Sequence, residues 1–231
     1  VDCLQTDPEL PTGGVKVKIV DGEPGYDIHY PAAFDAIAMP ATGLELPRRV
    51  NLLYHGSLAL RGPDSGDALV GIRARQPDTV FVDVNLRPPW WQHTTVLQLV
   101  DAAHWVKLNH HELDALSPSD VGKPGQVGQF MVDHRVDRLL LTHGEKGAEL
   151  FTRGGLRYSI EPDYQIEPVD TVGAGDAFTA VSILGLLLGW LPKLTLSRAQ
   201  AFASAVCSHR GATIRDRGLY RAFLNEWQLE K

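Results

Sequence analysis

Asp170-Thr-Val-Gly-Ala-Gly-Asp-Ala-Phe178 runs directly into an apolar stretch from Thr179 to Trp190. Three small residues and a carboxylate therefore stand at the start of a helix. The first amides of a helix have no intrahelical acceptor and carry partial positive charge, so such a turn can hold a phosphate. Gly173 and Gly175 remove the side chains that would keep an anion at a distance. Asp176 beside that cradle repels the anion unless it has a task, and accepting the proton of an attacking hydroxyl is one. Asp176 is thus the candidate catalytic base, with Gly173, Ala174 and Gly175 as the backbone cradle. The plainer alternative is an acid that only charges the first helical turn.

The elements that must position this turn follow from hydrophobic periodicity. Val15 to Ile19 alternates apolar and lysine residues and predicts a half-exposed strand. The turn residues Asp21-Gly22-Glu23-Pro24-Gly25 then lead to a second short strand at Tyr26 to Tyr30. From Val50 onward, apolar strands alternate with amphipathic helices, the pattern of βαβ units and a parallel sheet. Strands are predicted at Val50–Tyr54, Val80–Val84, Trp105–Leu108, Arg138–Thr142, Ala148–Thr152 and Leu156–Ile160. Helices are predicted at Asp64–Arg75, Thr95–Ala103, Gly125–His134 and Ser197–Ser208. Gly56, Asn85, Asn109 and Thr142 then fall at or just past strand ends, where open α/β sheets bind ligands. Asparagine at a strand end also simply makes turns, and both readings stand for any one of these.

Further strings accompany the first in chain order. They are Val82-Asp83-Val84-Asn85-Leu86-Arg87 with Trp90 and Trp91 behind it, Val106-Lys107-Leu108-Asn109-His110-His111-Glu112-Leu113, Leu141-Thr142-His143-Gly144-Glu145-Lys146-Gly147-Ala148, and His209-Arg210-Gly211-Ala212. Together with DTVGAGDAF they resemble the signature segments of the ribokinase-like (PfkB) carbohydrate kinases, fructokinase-like branch. The resemblance implies a three-layer αβα sandwich with a mostly parallel central sheet and a small β lid. It places lid strands and their connection in residues 1–49 and a nucleotide- and sugar-binding kinase core in residues 50–231.

The resemblance also implies roles. Thr142, Gly144, Gly147, Asn109, Gly175 and Gly211 would contact ATP. Asn85, Arg87, Gly56 and Asp176 would contact a sugar. Glu112 and Asn109 would organise Mg2+ through water, a setting that suits a hard cation beside a triphosphate, although Glu112 equally suits the first turn of a helix over Glu112–Leu116. Asp170 would join a K+ site, or serve as a turn acid. His110 and His111 have no partner ligands at metal spacing and are read as surface histidines. The implied reaction is transfer of the γ-phosphate of ATP to a sugar hydroxymethyl group, most like fructokinase. Acceptors of the 2-keto-3-deoxygluconate, ribose or nucleoside type are alternatives, and so is a non-catalytic sugar or nucleotide sensor. A homodimer through the lid is a further implication.

Composition narrows the classes. The chain has 231 residues, 44% hydrophobic and 22% charged, which is ordinary globular usage. A net charge of −6 gives no electrostatic footprint for nucleic acid. The apolar run Val181–Leu191 is too short for a membrane span. Cys3 and Cys207 are the two cysteines, which fits a reducing cytoplasm rather than a disulfide framework. A phosphate loop of the G-x-x-x-x-G-K-S/T type is absent, and so is a G-x-G-x-x-G after the first strand. The sequence opens on Val1-Asp2-Cys3, and Gly13-Gly14 leads into a strand pattern rather than into a G-G-x-x-x-N helix start. A fragment lacking an N-terminal sugar-binding segment is the expectation.

Overall fold

The computed structural model describes residues 4–20, 23–39, 49–162 and 168–229. The chain divides into two compact units, residues 1–106 with 134–136, and residues 107–133 with 137–231.

In the first unit, strands β1 (Val15–Val20) and β2 (Glu23–Ile28) form an antiparallel ribbon that pairs Val15 with Ile28. Asp21 and Gly22, expected in the turn, lie outside the described residues. Glu23, Pro24 and Gly25 were expected in the turn as well, yet they belong to β2 opposite Val20, Ile19 and Lys18. A two-stranded ribbon has an outward edge on both strands, and there proline's missing N–H is tolerated. Strand β3 (Leu52–His55), helix α1 (Pro63–Arg73) and strand β4 (Thr79–Asp83) make a parallel βαβ unit, with Leu52 opposite Thr79. Val80, Phe81 and Val82 of β4 are all buried. An uninterrupted apolar run of this kind is what a strand covered on both faces requires. Helix α2 (His93–Asp101) follows and buries Val96, Leu99 and Val100 at i, i+3, i+4 spacing.

Strand β5 (Trp105–Asn109) leads into the second unit, with helix α3 (His110–Leu116), helix α4 (Gln126–Asp133) and strand β6 (Arg138–Thr142). Strand β7 (Ala148–Thr152) pairs antiparallel to β6, and β8 (Arg157–Ile160) pairs antiparallel to β7. The six strands β3 to β8 are neighbours in chain order. Helices α5 (Ala174–Leu187), α6 (Pro192–Cys207) and α7 (Arg217–Glu226) complete the unit.

Strand positions agree with the periodicity to within two residues at each end, except that β2 starts three residues before the expected Tyr26. Helix ends agree less well. Helix α6 starts five residues before the expected Ser197, because Pro192 at its first position is already set for helical φ. Helix α5 stops at Leu187 rather than Trp190, just before Gly189 at φ +66°. Helix α7 was not expected at all. Asp216 caps it by accepting from the Gly218 amide at 2.8 Å, and Phe223 and Trp227 pack against Phe202 of α6. Among the described residues, no helix is long and apolar enough to cross a membrane.

Candidate active site

The start of α5 is built by glycine. Gly173 caps the helix in the left-handed region at φ +85°, and a Cβ there would stand 2.7 Å from the Cα of Ala212. Both facts exclude a side chain. The Ala174 amide donates to the Thr171 carbonyl at 3.2 Å, and the first helical bond runs from the Ala177 amide to Gly173 at 2.9 Å. The amides of Gly175 and Asp176, in between, precede the first i→i−4 bond and have no intrahelical acceptor. The cradle is therefore narrower than the sequence suggested, because Ala174's N–H is turned into the loop. The Asp176 side chain is exposed in the first turn of the helix.

Gly175 and Ala174 line a cavity of about 470 Å3 whose other walls include Thr142, Gly144 and Gly147. The helix start and the loop after β6 thus face one space. Gly147 is fixed at φ +93°, where a Cβ would run into the Ile160 carbonyl oxygen. The remaining walls are largely apolar: Ala148, Pro162, Pro168, Phe178, Ala203 and Cys207. An apolar slot that ends on bare amides suits a flat aromatic base with a phosphate tail. The Cys207 thiol is pushed up by burial and by the nearby Asp170 carboxylate, so it is held in its neutral form.

Other predicted residues take different places. Asp170 does not line the cavity. Its Oδ1 accepts from the Val172 amide at 3.0 Å and its Oδ2 from the Gly211 amide at 2.9 Å. These N–H bonds hold its carboxyl below the usual range. Asp170 therefore ties the signature string to Gly211, which stands at φ +84° and is likewise not a wall of the cavity. Asn109 and Glu112 cap α3 reciprocally: Asn109 Oδ1 accepts from the Glu112 amide at 2.9 Å, and Glu112 Oε2 accepts from the Asn109 amide at 2.8 Å. This is the helix-opening arrangement that the sequence left open as the alternative.

Among the described residues, no group of three or more His, Cys, Asp or Glu side chains could hold a metal ion. A protein cage for a divalent ion is absent there. His110 lies against His111 with ring centroids 3.8 Å apart and the rings tilted by 41°, and it stacks on His143 at 5.9 Å. Burial first, and then the two neighbouring imidazoles, hold His110 below its ordinary range.

In the first unit, Gly56 directly follows β3, and Asn85 lies two residues past β4. Asn85 stands at φ +43°, a left-handed geometry that asparagine tolerates better than other side chains. Arg87 is half-buried and donates from Nη1 to the Leu86 carbonyl at 3.3 Å. A Cβ at Gly56 would make only ordinary contact, 3.5 Å from the Asp83 carbonyl oxygen, so packing alone does not require glycine there. His55 is pushed down to about 4 by burial, and secondarily by the Arg73 guanidinium at 3.2 Å.

Sequence reasoning assigned no role to Lys107. Its side chain is buried, and its Nζ would lie 3.3 Å from a Cβ on Gly175, beside the helix start. The available signal was a lone lysine in an otherwise apolar strand. Gln200 and Ser204 of α6, which also line the cavity, carried no signal beyond being polar residues on an amphipathic helix.

The alternation of strands and helices, with a glycine-capped start to α5, fits a ribokinase-like α/β fold. Residues 14–217 match the pfkB family of carbohydrate kinases, and the chain belongs to that family. It is 28% identical over 156 residues to fructokinase-2 of Oryza sativa subsp. japonica, covering 64% of this chain and 46% of that protein. It is 29% identical over 158 residues to an ATP-dependent ribose-1-phosphate kinase of Halopiger xanaduensis, covering 68% and 48%. A double-mutant fructokinase from Vibrio cholerae O395, solved with fructose, ADP and a potassium ion, superposes with a TM-score of 0.75 at 24% identity, covering 94% of this chain and 74% of that one. The chain spans about half the length of the curated relatives it matches.

Proposed function

We infer that this chain belongs to an ATP-dependent sugar kinase, most like fructokinase, that uses Asp176 as its general base. The observation that carries the reading is the 470 Å3 cavity shared by the α5 start and the glycine loop after β6, with an exposed carboxylate in the same helical turn. The nucleotide lies in that cavity with its base against Phe178 and Ala203 and its phosphates toward Gly175. Thr142, Gly144 and Gly147 form the floor. A sugar hydroxymethyl oxygen attacks the γ-phosphorus, its proton passes to Asp176, and the bond to the bridging oxygen breaks to release ADP. The amides of Gly175 and Asp176 hold the charge that develops on the phosphoryl oxygens.

Gly56, Asn85 and Arg87 contact the acceptor, and the β1–β2 ribbon is its lid. The supporting observation is that Gly56 and Asn85 follow the ends of adjacent parallel strands, where this class of sheet presents ligands. Magnesium bound with the nucleotide would neutralise phosphate charge. Asn109 and Glu112 are the residues that would orient its water shell. An oxygen of Asp170 that accepts one N–H keeps a lone pair, so a potassium ion beside it is part of the same reading. Use of ATP goes with a cytoplasmic location.

The test is ADP release from the natural full-length protein with Mg2+ and K+, across fructose, ribose, ribose 1-phosphate, 2-keto-3-deoxygluconate and nucleosides. Stimulation by fructose above the other acceptors is expected. ADP release that no sugar stimulates, together with intact nucleotide binding, would replace the kinase by a sensor.

A further inference from the structure

The first unit holds a second cavity, of about 320 Å3, that the phosphoryl-transfer reading does not use. Its walls include Ser57, Arg61, Trp90, Trp91, Gln92 and Thr95. Arg61 is its unusual member. The side chain is 3% exposed and forms a fork with Asp35, Nε to Oδ1 at 2.7 Å and Nη2 to Oδ2 at 2.9 Å. Nη2 also donates to the His29 carbonyl at 2.6 Å. The rings of Tyr30, Phe34 and Trp90 stand 5.0, 5.1 and 4.5 Å from the guanidinium carbon. Nη1 is enclosed and has no hydrogen-bond partner among the described residues.

A buried guanidinium nitrogen without an acceptor is the costly half of an incomplete pair, and an arriving oxygen completes it. The wall chemistry selects which oxygen. None of the lining side chains is acidic, and Gln92 and Thr95 can donate, while the Ser57 hydroxyl already donates to the Val84 carbonyl at 2.6 Å. Asp35 already engages Nε and Nη2, so the arginine offers one remaining edge rather than a full fork. Leu60, Pro89, Val96 and Leu99 make the rest of the wall apolar.

We propose that this cavity binds a small organic carboxylate, separately from the phosphoryl-transfer chemistry. One carboxylate oxygen meets Arg61 Nη1, the other meets Gln92 and Thr95, and the carbon body rests on Trp90 and Trp91. Trp90 both lines the cavity and covers the guanidinium, so a ligand that reaches Nη1 must shift that ring. Tryptophan fluorescence reports the shift.

The experiment titrates the protein, without nucleotide, with acetate, pyruvate and gluconate and with the neutral isostere acetamide, following tryptophan fluorescence and calorimetric heat. A saturable response to at least one carboxylate is expected, with none to acetamide. Arg61→Lys keeps a cation opposite Asp35 but removes Nη1, and it is expected to weaken binding about tenfold or more. Gln92→Leu and Thr95→Val are exposed changes that leave the fold intact, and each is expected to weaken binding about three- to tenfold. They decide the matter if Arg61→Lys does not fold. Asp176→Asn is expected to bind the carboxylate as the parent does. Absence of any carboxylate response, equal binding of acetamide, parental affinity in Gln92→Leu and Thr95→Val, or loss of binding in Asp176→Asn would each overturn the proposal.

Discussion

The cavity beside α5 and the cavity beside Arg61 are built from opposite materials. The first joins backbone to apolar walls: Ala174 and Gly175 of the helix start and Gly147, whose position forbids a Cβ, stand across from side chains such as Phe178 and Ala203. The second is made of side chains, with an arginine held by Asp35 and covered by three rings, Tyr30 and Phe34 from one stretch and Trp90 from another. A backbone site fails abruptly when its geometry is disturbed, because an amide cannot be supplied from elsewhere. A side-chain site degrades in steps, as each donor contributes its own share.

The largest effect expected from that contrast is at Gly173. Gly173→Val combines φ +85° with the Ala212 backbone at 2.7 Å, and a cost of about 3 kcal/mol or more follows. Urea unfolding and an ADP titration check it, with nucleotide affinity falling about a hundredfold. Gly211→Ala is the control, since Gly211 has a similar φ of +84° but open space around it. It should cost only about 1 kcal/mol. Equal costs for the two would remove close approach as the reason for glycine at 173.

The first unit carries the next effect, through acid. His55 is held neutral in the fold, down to about 4, while its ordinary value is 6.5. Between these two values the unfolded chain binds more protons than the folded one, so stability falls as pH drops from about 6.5 toward about 4. The loss reaches up to about 3 kcal/mol and then levels off. His55→Gln should flatten that part of the stability–pH curve, measured by urea unfolding at stepped pH. A smaller effect belongs to Asn85→Val, where a β-branched residue at φ +43° costs about 1–2 kcal/mol. The midpoint shift on urea unfolding measures it.

The same contrast explains what could be read from the sequence. The glycine-capped start of α5 was legible because glycine at fixed spacing before an apolar run has a backbone cause, and Thr142, Gly144, Gly147 and Gly175 line one cavity. The strands were legible because buried runs such as Val80 to Val82 leave little choice of element. Asp35 with Arg61 was not legible: the partners are 26 residues apart and carry no periodic signal. Helix α7 was overlooked although Asp216, Phe223 and Trp227 show a cap and a helical stripe, because the family strings ended before it. Glu112 shows the limit of residue types: an acid three places after asparagine suits a cation shell and a reciprocal cap alike, and only coordinates reveal the two hydrogen bonds.

The central claim is that Asp176 takes the acceptor's proton beside the amides that hold the phosphate. It is tested most directly by single-turnover phosphoryl transfer and ADP affinity, measured together for Asp176→Asn and the parent. The substitution keeps size and helix start but removes the base. The predicted result is a rate lower by about 10²–10⁴-fold, with ADP affinity unchanged within about threefold. A transfer rate within about threefold of the parent would contradict the assignment of Asp176 as the base.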